Sequence, residues 1–143
     1  MRKTGGMALL DHLGISVLDV ERGKQQFHPV LEALGYTLGI EAPHGISWDN
    51  GDETEVIIFQ IRDDADALPH RHGEAGWQHL AFAVESRGEV DRLHGIAVSA
   101  GWSAVREPKL YPRFSENYYA SFVEDDSGIR LEFVHNPPRD AIA

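Results

Sequence analysis

The chain states one short phrase twice. His12-Leu-Gly-Ile-Ser-Val17 and His79-Leu-Ala-Phe-Ala-Val84 both begin on histidine, then carry large apolar residues at every second position. A period of two marks a strand with one face buried. The same strand in both halves of the chain predicts a duplicated supersecondary module, with one histidine from each copy at the same register.

The segments downstream of the two phrases repeat as well. After the first, Asp19 is placed to cap a helix in which Phe27, Val30, Leu31 and Leu34 recur at helical spacing, with Gly35 closing it. Pro29 is expected to kink this helix. Strands are expected at 36–41, 45–48 and 55–61, with Gly51 and Asp52 turning the chain between the last two. After the second phrase, Ser86 and Glu89 form a capping-box pattern, Val90, Leu93, Ile96 and Ala97 make an apolar stripe, and Gly101 stops the helix. Strands near 103–106, 117–123 and 130–135 complete this copy, the last two joined by an Asp126-Ser-Gly128 turn. The fold class predicted is α+β: two tandem βαβββ modules, at about 7–67 and 75–137 of a single domain, curving as an eight-stranded cup around a shared cleft. Residues 1–6 read as a disordered leader. A half-sheet with a helix on one face cannot bury its other face alone, which is why a cup is expected.

The alternation assigns faces. Leu13, Ile15 and Val17, like Leu80, Phe82 and Val84, should pack beneath the helices. His12, Gly14 and Ser16, like His79, Ala81 and Ala83, should face the cleft, where small side chains beside a histidine leave room for a ligand. Glu132 lies between Leu131 and Phe133 and should project to the same side, where an unpaired carboxylate would be costly. His12, His79 and Glu132 together supply two imidazoles and a carboxylate, a set that binds a divalent metal and leaves positions open.

Composition narrows the partners. With 23 acidic against 13 basic residues the net charge is −10, which repels phosphate backbones and argues against nucleic acid or an anionic membrane as partner. The chain has no cysteine, so neither a disulfide nor a thiolate metal site is available, and a cytoplasmic location is expected. No apolar run approaches membrane-spanning length.

From about residue 10 to 136 the chain resembles the vicinal oxygen chelate superfamily, which includes glyoxalase I, bleomycin-resistance proteins, fosfomycin-resistance enzymes and extradiol dioxygenases. The motifs that carry the resemblance are Asp11-His-Leu-Gly-Ile-Ser-Val17, Gln78-His-Leu-Ala-Phe-Ala-Val84, and Phe122 through Phe133 with its Asp125-Asp-Ser-Gly128 hairpin. In that hairpin Asp126 stands where the family usually has proline. The resemblance implies paired βαβββ modules and one divalent ion per site (zinc, nickel, manganese or iron). It also implies a small oxygen-rich substrate and a homodimer.

Other ligands and reactions remain open at this level. Glyoxalase-type sites add a fourth ligand from the last strand of the first module. Matching 55–61 to 130–135 puts Ile58 opposite Glu132, and Gln60, on the same strand face, reaches the metal only after a register shift. The extradiol signature wants a tyrosine where Phe122 stands and a histidine in the region of Arg113, and the fosfomycin enzymes want threonine at Gly14. Lyase or isomerase chemistry is therefore favoured, with a dioxygenase or a non-catalytic drug- or metabolite-binding protein as alternatives. Tyr118 is the candidate acid, base or donor. Arg113, Trp48 and Phe122 are candidates to shape the substrate, and Tyr119 is expected to turn toward the helix layer. His70, Arg71 and His72 could form a lid or a solvated linker.

Overall fold

The computed structural model describes residues 10–51 and 54–138. The expected leader at 1–6 and the turn residue Asp52 lie outside them. The chain divides into two compact units, 1–69 and 70–143.

In the first unit the elements are β1 (His12–Val17), α1 (Val20–Ala33), β2 (Thr37–Ala42), β3 (Gly45–Asp49) and β4 (Glu55–Gln60). In the second they are β5 (Leu80–Ala83), α2 (Arg87–Ser99), β6 (Ser103–Leu110), β7 (Tyr119–Glu124) and β8 (Arg130–His135). Each unit is a βαβββ module, and the sheet orders, β1-β4-β3-β2 and β5-β8-β7-β6, are the same. In both, the first strand runs parallel to the last, which the intervening helix makes possible.

The duplication extends to the helix ends. Asp19 Oδ1 accepts from the backbone N–H groups of Glu21 and Arg22 at 2.9 and 3.3 Å. Ser86 Oγ accepts from the Glu89 N–H at 3.0 Å, but the Glu89 carboxylate turns to Arg92, so the capping box is half made. At the other end, Tyr36 N–H donates to the Leu31 carbonyl at 2.9 Å and Trp102 N–H to the Ala97 carbonyl at 3.0 Å. Gly35 and Gly101 take φ of 93° and 102°, which completes a Schellman closure in each copy. α1 runs through Pro29 as one helix.

The face assignments hold where the register can test them. Ile15, Val17, Val56 and Ile58 are buried on the α1 side, and Ile58 Cδ1 sits 2.9 Å from where a Cβ on Gly23 of α1 would be. In the second unit Tyr119 turns its hydroxyl to Asp91 of α2 at 2.7 Å, as expected. Ser121, Val123, Leu131 and Phe133 share that side by register. The opposite face carries a cluster of its own, Tyr111, Ala120 and Val134, with Tyr118 and Phe122 packed against it.

Two elements differ from expectation. β6 continues to Leu110 because it is an edge strand, where Pro108 leaves no ladder bond missing, and its pairing with β7 is irregular on both sides of Arg106. β7 starts at Tyr119, later than expected, because Tyr118 N–H is taken by the Ser115 carbonyl and its own carbonyl by Tyr111 N–H.

Candidate functional site

β8 places Glu132 opposite Ala81 of β5 and Phe122 of β7, on the face away from α2. The carboxylate is only 2% exposed. Burial of a charge at this depth is tolerable only with close partners, and Glu132 has two. Tyr118 donates its hydroxyl to Oε2, and His79 Nε2 lies 3.1 Å from Oε1. The Tyr118 phenol is pushed up by its burial first and by the bonded Glu132 carboxylate second, so it keeps its proton.

The residue before each histidine fixes its ring. The Gln78 side-chain oxygen accepts from His79 Nδ1, and Asp11 Oδ1 accepts from His12 Nδ1 at 2.7 Å. With Nδ1 donating, Nε2 of a neutral ring presents a lone pair. At His79 that lone pair faces a carboxylate oxygen, so a proton or a cation must stand between them. Two donors bound to one divalent ion at about 2.0–2.2 Å would stand roughly 3 Å apart, so the pair fits a metal as well as an imidazolium. An acceptor on the distal nitrogen is also the usual way of orienting a ligating histidine.

His79 and Glu132 are thus brought together, with Tyr118 beside them and Phe122 edge-on to the His79 ring at 5.7 Å. His12 belongs to the other unit, where it opens β1 opposite Glu55. Among the described residues no group of three or more His, Cys, Asp or Glu side chains forms a metal cluster.

Gln60 and Trp48 need correcting. Register pairs Gly14 with Ile57 and Ala81 with Glu132, so Ile57, not Ile58, stands at the position of Glu132. Gln60 lies on the other side of β4, and its amide is engaged there: Oε1 accepts from Val20 N–H at 2.9 Å and Nε2 donates to the Leu18 carbonyl at 2.8 Å. It pins the β1–α1 connection. Trp48 is fully buried and donates its indole N–H to His28 of α1 at 3.0 Å, which makes it core of the first unit and not a cavity wall. The room expected beside Gly14 is also taken, because the Phe59 ring lies 3.1 Å from where its Cβ would be.

A cavity of about 170 Å³ opens beside His79 in the second unit, walled by Arg106, Tyr111, Arg113, Phe114 and Phe122, with His72 at its border. Of the expected lid, His72 reaches the cavity while His70 docks by its backbone, donating to the Ser127 carbonyl at 2.9 Å. Arg106, Tyr111 and Phe114 carry no mark in the sequence that singles them out. The irregular pairing of β6 destroys the two-residue period that would have shown which way Arg106 points.

These features agree with the likeness to known proteins. The profile of the Glyoxalase/Bleomycin resistance protein/Dioxygenase superfamily matches residues 9–133, and the chain belongs to that superfamily. The Bacillus subtilis (strain 168) protein YqjT, described only as uncharacterized, is 26% identical over 125 residues, covering 87% of this chain and 97% of that protein. A structure provisionally assigned as a glyoxalase from Bacillus halodurans is 27% identical with a TM-score of 0.77, covering 91% of this chain and 97% of that one. The fosfomycin resistance protein FosX from Mesorhizobium loti shares the fold at 20% identity and a TM-score of 0.64, covering 96% and 99% of the two chains.

Proposed function

We infer that the protein is a divalent-metal-dependent enzyme acting on a small oxygen-rich molecule, with lyase or isomerase chemistry. His79, Glu132 and His12 are the protein ligands in this reading. The observation that carries it is His79 Nε2 set 3.1 Å from Oε1 of the buried Glu132. A divalent ion held there would act as a Lewis acid toward adjacent substrate oxygens.

The remaining chemistry falls to the chain's own groups. Tyr118 keeps its proton through neutral pH, so its role is that of donor: it holds Glu132 in the free protein and can offer its O–H to a substrate oxygen that gains charge. Arg113 supplies a planar pair of donors for a carboxylate or enolate-like oxygen. Phe122 shapes the wall next to His79 and carries no ionisable hydroxyl, which disfavours ring-cleaving oxygenation by the usual residues. The cavity, at about 170 Å³, has room for a small substrate. No helix among the described residues is long and apolar enough to cross a membrane.

The test is metal content after purification. Wild type should hold about one divalent ion per chain and His79→Ala much less. Equal content in the two proteins would sink the metal reading.

A further inference from the structure

The cavity beside His79 carries two guanidinium groups that the proposed chemistry does not account for together. Three arginines border it. Arg130 is committed to Glu124, at 2.9 Å. Arg106 and Arg113 have no carboxylate within ion-pair distance among the described residues, in a chain whose net charge is −10. Each lies instead over an aromatic ring: Arg106 is 5.9 Å from the centroid of Tyr111 and 6.0 Å from that of Phe122, and Arg113 is 4.7 Å from that of Phe114. A contact of this kind attracts a guanidinium without occupying its N–H groups with an acceptor, which leaves them available to bond.

A second observation comes from Tyr111. The residue is 5% exposed, and its buried hydroxyl has no hydrogen-bond partner among the described residues. That hydroxyl is closed off from the surface, so what Tyr111 presents to the cavity is its ring. The rings themselves make an aromatic corner. Tyr111 stacks on Phe114 at 5.7 Å with 21° between planes and meets Phe122 edge-on at 6.0 Å. Phe114 remains 53% exposed, which leaves apolar surface for a ligand to cover.

From this combination we propose that the cavity binds a small carboxylic acid with a flat apolar body, its carboxylate held by Arg106 and Arg113. The body of the acid sits in the corner between Phe114 and Phe122, pointing its other end toward His79. The proposal rests on reading this cavity as the substrate pocket, but not on the presence of metal.

Benzoate is the probe, with benzamide and acetate as controls, titrated calorimetrically into full-length protein both stripped of metal by a chelator and loaded with zinc. Benzoate should bind at least tenfold more tightly than either control in both preparations. Arg106→Gln and Arg113→Gln should each weaken it fivefold or more. Benzoate binding no better than benzamide, or untouched by both arginine variants, would overturn the proposal. So would binding that appears only after zinc loading, since the carboxylate would then be sitting on the ion. Benzoate binding in a protein that takes up no zinc would support the proposal and defeat the metal reading separately.

Discussion

Tyr118 and His79 divide one carboxylate between them: the phenol holds Oε2 of Glu132 and the imidazole faces Oε1 at 3.1 Å. Because Glu132 is buried, neither partner can leave without exposing a charge that water cannot reach. Tyr118→Phe should therefore cost about 1.5–3 kcal/mol of stability, the range for a hydrogen bond to a charged group. It should also lower turnover more than substrate binding. Denaturant unfolding of wild type and variant checks the first part, and an unchanged midpoint would show that the hydroxyl does not support Glu132. The shift of the phenol further predicts that Tyr118 ionises above the usual tyrosine range, visible as a missing fraction in an ultraviolet pH titration.

Gly128 is required by its neighbour. Its φ of 79° favours glycine, and a Cβ there would collide with the His70 carbonyl oxygen. His70 N–H in turn donates to the Ser127 carbonyl, so the segment leading into β5 is laced to the β7–β8 hairpin. Gly128→Ala should destabilise the protein by roughly 2–4 kcal/mol, combining backbone strain with a backbone clash. It should also free the preceding segment for proteolysis at Arg71. A variant as stable and as resistant as wild type would contradict this packing.

Asp125 makes stability depend on pH. Its burial pushes the carboxyl up from 3.8 to about 6, against the opposing hydrogen bonds from the Ile129 and Ser127 N–H groups. A carboxyl whose folded pKa lies above its unfolded one stabilises the fold most fully on the acid side. That contribution is lost as pH rises from about 4 through about 6. Asp125→Asn cannot titrate, so the stability of wild type relative to the variant should fall by up to about 3 kcal/mol across that window. Parallel curves for the two proteins would refute the assignment.

Gln60 gives a negative control for the metal site. Its amide ties Leu18 to Val20, so Gln60→Leu should cost roughly 1–2 kcal/mol of stability. Metal affinity should not change. A tenfold loss of affinity in a folded variant would restore Gln60 as a ligand.

The parts of the fold governed by local chemistry are readable from residues alone. Asp19, Ser86, Gly35 and Gly101 act where their chemistry predicts, and the alternation around Glu132 puts it on the correct face. Pairing across strands is not readable in the same way. A one-residue error in matching β4 to β8 moves a side chain to the other face of the sheet, which is why Ile58 and Gln60 are expected on the site side and found on the other. Trp48 shows a different limit: an aromatic residue in a strand carries no local mark separating core from pocket wall, and only His28 on α1 decides it. Arg106 and Tyr111 are hidden by the irregular pairing of β6.

The central claim is that His79 and Glu132 hold a divalent ion. The direct measurement is the affinity and stoichiometry of zinc for wild type, His79→Ala and Glu132→Gln, determined by competition with a chromogenic chelator. One ion per chain in wild type, with affinity falling on the order of a hundredfold in both variants, is the predicted result. Wild-type affinity in a folded His79→Ala or Glu132→Gln protein would contradict it.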